Sequence, residues 1–221
     1  GADPSLALMP YWRESRRLMG RTTVTERDLL PISTQALRGP LPIDAQGRCT
    51  SIAVGTYAND HHYPGEDWPL APKSVRWGGR WSGTPFCIPF DALITDSIPN
   101  LVMAEKGFSV SHMANGATRL QPLILNLGQV AGLAAAMAVH QGCDLADLQV
   151  EAIQSALIHE PQAPAAVLPI WDWPLWHPHW VKAQEQGLAQ PEHLDAMGCL
   201  SGPLASVLLP PDVNQAPNQP H

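Results

Sequence analysis

Residues 123–139 place Gly128, Ala131, Gly132, Ala134, Ala135 and Ala136 within one apolar stretch. A helix built this way has almost no side-chain bulk. Another backbone or a flat ligand can come within contact distance of it. Pro122 fits the first turn of such a helix, where its missing N–H costs nothing. The reading is therefore a long helix over 120–140. Its free N–H groups form a site for negative charge. Ahead of it, residues 111–119 read as a polar loop, with Asn115-Gly116 supplying a tight turn. A Gly/Ala helix is also very often just a tightly packed core helix, so the upstream polar segment carries the specificity.

The 221 residues suffice for one sizeable domain. A net charge of −7 argues against nucleic-acid binding, which needs clustered Lys and Arg. The one basic cluster, Arg13, Arg16, Arg17 and Arg21, is interrupted by Glu14. It reads equally as an internally paired face or as an anion site. Cys49, Cys87, Cys143 and Cys199 contain no C-x-x-C pair, which favours free thiols and no metal site. No run of 18 apolar residues predicts a membrane span. The compartment stays open, with the cytoplasm favoured.

Along the chain, 11–19 reads as a strand. Thr25 caps a short helix, with Asp28 as capping-box partner and Pro31 as its end. Residues 49–57 and 86–90 read as strands. Residues 59–85 form a long Gly/Pro/Trp-rich connection. Residues 100–104 read as a buried strand. A second helix is expected over 145–159, with Asp144 as its cap. Leu145, Leu148, Ala152, Ile153 and Leu157 fall on one face of it. Beyond Pro161 the chain is rich in Pro and Trp. Only 180–188 looks helical there, and the end from Pro210 reads as disordered. In that tail, packing of the tryptophans is favoured over a carbohydrate- or peptide-binding face.

Several segments in order carry a family resemblance. They are Arg13-Glu14-Ser15-Arg16-Arg17, Thr25-Glu26-Arg27-Asp28, Tyr57-Ala58-Asn59-Asp60-His61-His62 and Ile88-Pro89-Phe90. Asn100-Leu101, Ser111-His112, residues 114–122 and Gly128-Gln129-Val130-Ala131-Gly132 follow. Over roughly 11–142 the chain resembles the FAD-dependent oxidoreductases related to fumarate-reductase-type flavoproteins, specifically their C-terminal FAD-contacting part. The resemblance implies an α/β fold of the FAD/NAD(P)-binding type, with FAD as cofactor and a small-molecule substrate. The domain reading is 1–142 as the C-terminal part of the oxidoreductase domain, 143–159 as a helix completing it, and 160–221 as an extension. The Gly-x-Gly-x-x-Gly strand–helix unit that holds the ADP half of FAD is absent from this sequence. Gly78-Gly79-Arg80-Trp81-Ser82-Gly83 has the wrong spacing. The expectation is a fragment that is inactive alone and partners an N-terminal FAD-binding portion of the same protein. The alternative is a non-catalytic remnant that uses its Trp-rich tail as a contact surface.

The resemblance also assigns residues. Gly116, Thr118, Arg119, Leu120, Gln121, Pro122 and Leu123 are expected along the isoalloxazine. Ala104 and Lys106 are expected nearby, where relatives carry Ala-Gly-Arg and this chain has Ala104-Glu105-Lys106. Arg119 reads as a flavin or substrate cation, or else as a structural pair with an Asp or Glu. His62 is the candidate acid/base, oriented by Asp60, and His112 is a second candidate. Asp60-His61-His62 also reads as an ordinary surface loop, while a metal site lacks the ligand spacing.

Overall fold

A computed structural model describes residues 13–58, 60 and 84–200. The expectations for Tyr11, Trp12, His61, His62, the tryptophans of 61–83 and the chain end from Pro210 lie outside the described residues.

The centre is an antiparallel pair, β1 (Ser51–Gly55) and β2 (Phe86–Pro89), in register Ala53↔Ile88, Val54↔Cys87 and Gly55↔Phe86, with an irregularity between Ser51 and Ala53. Ile52, Ala53, Phe86, Cys87 and Ile88 are all buried. Both faces of the pair are covered, which is why these strands read as continuous apolar runs. A 3₁₀ turn, Phe90–Ala92, ends β2.

Before the sheet, α1 (Glu26–Leu29) forms as the sequence indicates. Asp28 Oδ2 accepts from Thr25 N at 2.7 Å and from Thr25 Oγ1 at 3.1 Å. After the sheet in the chain come α2 (His112–Thr118), α3 (Gln121–Gln141), α4 (Val150–His159) and α5 (Trp180–Ala189). Pro122 occupies the first turn of α3, and Gly142 ends it at φ 66°. A left-handed backbone there is the ordinary reason for glycine at a helix end. Helix α3 packs on β1 and on α4.

Four expectations change. Residues 111–118 are not a loop: Ser111 Oγ accepts from Ala114 N at 3.1 Å and starts α2, whose Ala114, Asn115, Gly116, Ala117 and Thr118 are all buried. Asn115-Gly116 makes no turn, because burial of these small residues overrides the local preference of the pair. Residues 13–19 form no strand. They run extended, with Leu18 N bonded to Gly107 O at 2.7 Å, and the neighbouring pairing is a single parallel bridge, Val24↔Val110. Residues 100–104 contribute only the bridge Ile94↔Val102, and Ala104 is exposed; the buried run is 107–110. The expected helix over 145–159 is split into a 3₁₀ turn, Leu145–Asp147, and α4. The Asp144 side chain caps nothing, and Ala152 faces out, while Leu145, Leu148, Ile153 and Leu157 are buried.

The core continues past α4. Val167, Leu168, Trp173, Trp180, Ala183, Leu194 and Leu200 join the same apolar cluster. Buried glutamines tie this stretch together. Gln154 Nε2 donates to Cys49 O and Ser51 O at 2.7 and 2.8 Å, and Gln184 Oε1 accepts from Val167 N and Leu168 N. Trp171 and Trp176, by contrast, are exposed.

Helix α3 is, among the described residues, long and apolar enough to cross a membrane by length and composition. Its Leu123, Leu127, Val130, Ala131, Ala134 and Ala138 face the core. Leu125, Gly132, Ala135, Ala136 and Val139 face outward.

Candidate functional site

The residues singled out from sequence meet where α2 hands the chain to α3. Arg119 is the C-cap of α2, its N–H bonded to Asn115 O, and Leu120 is the N-cap of α3. A cation at the C-terminal end of a helix is electrostatically favoured. That accounts for an arginine just ahead of a second helix start, which the sequence alone left unexplained. The Arg119 side chain is 7% exposed. Its Nη2 donates to Asp60 O at 2.7 Å and lies 3.9 Å from Asp60 Oδ2. Asp60 N in turn donates to Gly116 O at 3.4 Å. The segment that leads from β1 is thereby fastened to the end of α2 from both sides.

A second strand of contacts joins the 104–106 turn to the same helices. Asn115 Nδ2 donates to Lys106 O at 3.3 Å. Ala104 O passes over Gly128, at 3.7 Å from where a Cβ would stand. Gly132 has open space in the same sense. The small residues of α3 thus admit one backbone at Gly128 and leave room beyond it.

Two atoms here lack a partner. Asn115 Oδ1 and Thr118 Oγ1 are buried with no hydrogen-bond partner among the described residues. An unpaired buried polar atom costs about 1–3 kcal/mol, so two side by side in one short helix mark a place built for something polar. Sequence reasoning included Thr118 and missed Asn115, which it read as a turn residue.

The first turn of α3 adds backbone donors at Gln121 and Leu123. Leu120 provides no side-chain cap for the N–H groups at the start of this 21-residue helix. Gln121 and Pro122 are exposed, Leu120 is half-buried, and Leu123 is buried against β1 near Gly55.

His112 lies at the other end of α2. Seven residues of helix separate the two ends by roughly 10 Å, so His112 and Arg119 do not form one constellation. His112 Nδ1 is instead 3.0 Å from Glu14 Oε1, and Glu14 also holds Arg17 at 2.8 Å. Arg21 pairs with Asp91 and Asp96. The basic cluster is therefore in good part internally paired.

The four cysteines are free thiols. Burial pushes the Cys49 thiol up to about 11 and the Cys87 thiol up to about 12. Neither is a thiolate near neutral pH, so neither offers a nucleophile.

These polar groups suit a flavin: donors and a cation at a helix start, small residues alongside, and buried polar atoms without partners. Comparison with known proteins agrees. No curated protein and no solved structure matches the chain. The family model "FAD dependent oxidoreductase" matches residues 4–157, more than half of the chain, and ends inside α4. The chain belongs to the FAD dependent oxidoreductase family, a family of flavoproteins whose cofactor is FAD.

Proposed function

We propose that this chain supplies the flavin-facing half of an FAD-dependent oxidoreductase that moves a hydride between a small-molecule substrate and the flavin. The observation that carries this reading is the junction of α2 and α3. Arg119, the uncapped α3 start and the unpartnered Asn115 Oδ1 and Thr118 Oγ1 all lie within five residues of one another.

FAD, when bound, supplies the two-electron acceptor. The chain's own groups do the rest. The N–H groups of Gln121 and Leu123 and the Arg119 guanidinium bind and orient negative charge at the ring edge. Gly116, Thr118, Ala104 and Lys106 border that place. Asp60 fixes the guanidinium and leads directly to His62, which we assign as the group that takes or gives the substrate proton. His112, held by Glu14 away from this junction, is the weaker candidate for that role.

The proposal includes a nucleotide-binding portion outside these residues. Its support is the missing Gly-x-Gly-x-x-Gly unit and the outward face of α3, where Leu125 and Val139 are 75% and 84% exposed. We propose that the N-terminal FAD-binding portion of the same protein covers that face, and that the isolated chain binds FAD weakly.

The test is rapid-mixing kinetics on the protein that carries both portions. Arg119→Ala should slow flavin reduction by about tenfold to a thousandfold, equivalent to about 1.4–4 kcal/mol. His62→Gln should lower turnover and remove one limb of the pH–rate profile while FAD content holds. Unchanged reduction in a folded Arg119→Ala protein would reduce this residue to a structural pair. A stoichiometric flavin spectrum from the isolated chain would overturn the need for a second portion.

A further inference from the structure

Arg38 is a buried cation to which, among the described residues, no carboxylate is bonded. It is 7% exposed, and each of its three nitrogens donates to a main-chain carbonyl. Nε reaches Asp195 O at 2.6 Å, Nη2 reaches Leu194 O at 2.6 Å, and Nη1 reaches Gly39 O at 3.0 Å. Next to it, Leu37 N donates to Ala196 O at 2.8 Å. Three successive carbonyls, of Leu194, Asp195 and Ala196, therefore all point at residues 37 and 38.

The turn that presents them holds itself together. Asp195 Oδ1 accepts from Met197 N at 2.8 Å and from Cys199 N at 2.9 Å. Asp195 N donates to Cys199 O, and Gly198 N donates to Asp195 O. Gly198 sits at φ 77°. A bridge, Leu194↔Leu200, closes the loop. The Asp195 carboxylate is spent on this turn, so it helps Arg38 only through space, and burial pulls the guanidinium below its ordinary range.

We propose that residues 194–200 form a preassembled clasp for which Arg38 is the keeper, and that the clasp opens as a rigid unit without unfolding of the core. The physics favours such a unit. A guanidinium taken from water and given only carbonyls recovers its hydration when the turn lifts away. The turn keeps its own bonds in doing so. The contacts to Leu37 and Arg38, the bond from Trp171 N to Gly198 O at 2.9 Å, the Cys199–Asp172 contact and the apolar contacts of Leu194 and Leu200 are what opening gives up. The keeper lies within the family-matched residues and the clasp lies beyond them. The device thus joins the matched body to the C-terminal extension. Through Gly39 N to Pro85 O, at 2.8 Å, it also reaches the residue just ahead of β2.

Amide hydrogen exchange on the full chain tests this at single residues. The Leu37 amide reports the clasp, the Cys199 and Gly198 amides report the turn's own bonds, and the Val130 amide in α3 reports the core. In the natural sequence, Leu37 should exchange at least tenfold faster than Val130. Arg38→Lys, which keeps the charge and loses the three-way fork, should speed Leu37 by a further tenfold or more. Val130, Gly198 and Cys199 should be unchanged. Leu37 exchanging in step with Val130 overturns the proposal. So does an Arg38→Lys protein with Leu37 unaffected, or one in which Cys199 and Gly198 accelerate together with Leu37. If Arg38→Lys does not fold, a low-urea series on the natural sequence decides. A shallower urea dependence at Leu37 than at Val130 supports the clasp, and equal slopes overturn it.

Discussion

Arg119 and Asp60, 59 residues apart in sequence, are joined by a 2.7 Å bond from the guanidinium to a main-chain oxygen rather than by a direct carboxylate clasp. The Asp60 carboxylate stands off at 3.9 Å and is half exposed. The bond that matters is thus independent of whether Asp60 is ionised. Arg119→Met should lower the unfolding free energy by about 1.5–3 kcal/mol, the range for a hydrogen bond to a charged group. Asp60→Asn should cost less than about 1 kcal/mol, as for an exposed ion pair. Urea denaturation of the two variants checks the ordering, and a larger loss for Asp60→Asn would mean that the carboxylate is the true partner.

Gln154 is a second long-range tie, and its loss is costly for a different reason. It is 1% exposed, and its one amide nitrogen serves the carbonyls of both Cys49 and Ser51. Gln154→Leu fills the space but leaves two buried carbonyls without that donor. The expected destabilisation is about 2–4 kcal/mol, read from the urea midpoint. A loss below about 1 kcal/mol would show that water reaches those carbonyls.

How much of this was legible beforehand divides along a physical line. Features set by a few adjacent residues were readable: the Thr25–Asp28 cap, Pro122 at the start of α3, and the apolar runs that became β1 and β2. Features set by burial were not. Asn115-Gly116 is a turn by local preference, yet Ala114, Gly116 and Ala117 are small enough to be packed inside as helix. The strand expected over 100–104 lost to its neighbour 107–110, since Phe108 and Val110 are the residues that reach the core. At the site, Arg119 stood out from sequence by its place before a helix. Its partner, and the unsatisfied Oδ1 of Asn115, exist only in three dimensions. Gln154, Gln184 and Arg38 were invisible for the same reason: no local pattern says that a polar residue will be enclosed.

Gly132 and Gly142 make a paired test of α3. Nothing lies within 4 Å of a Cβ added at either glycine. Gly132→Ala should stabilise the isolated chain by about 0.5–1 kcal/mol, because the backbone is helical and the face is open. Gly142→Ala should destabilise it by about 1 kcal/mol, because φ is 66° there. Thermal melts of the two variants should move in opposite directions. In the protein that carries a nucleotide-binding portion, the Gly132→Ala gain should vanish or reverse if that portion lies against α3. A gain that persists unchanged there would place the contact elsewhere.

Alkaline pH should weaken the fold through its buried thiols. Burial is the first cause of the rise at both Cys49 and Cys87. An unfolded thiol titrates at about 8.5, so between there and the folded values the native chain holds protons that the unfolded chain has released. The stabilisation is complete below about pH 8.5 and is lost as pH rises toward about 11 for Cys49 and about 12 for Cys87. Each thiol contributes up to about 1.4 kcal/mol per pH unit to that fall. Urea midpoints at pH 8 and pH 10.5 measure it. Cys87→Ala should flatten the slope, and an unchanged slope would mean that other groups drive the loss.

Between Gln121 and Gln141 the chain carries no Asp, Glu, Lys or Arg. At 1.5 Å per residue that is a rod about 31 Å long without a fixed charge, in a protein whose net charge is −7. A body that settles along its outward side meets no fixed charge on the helix itself, so salt acts on that contact only through charges elsewhere on the chain. Past the first turn of α3 the fit is decided by contour and by the water displaced, so along that length of the helix the protein presents shape rather than charge.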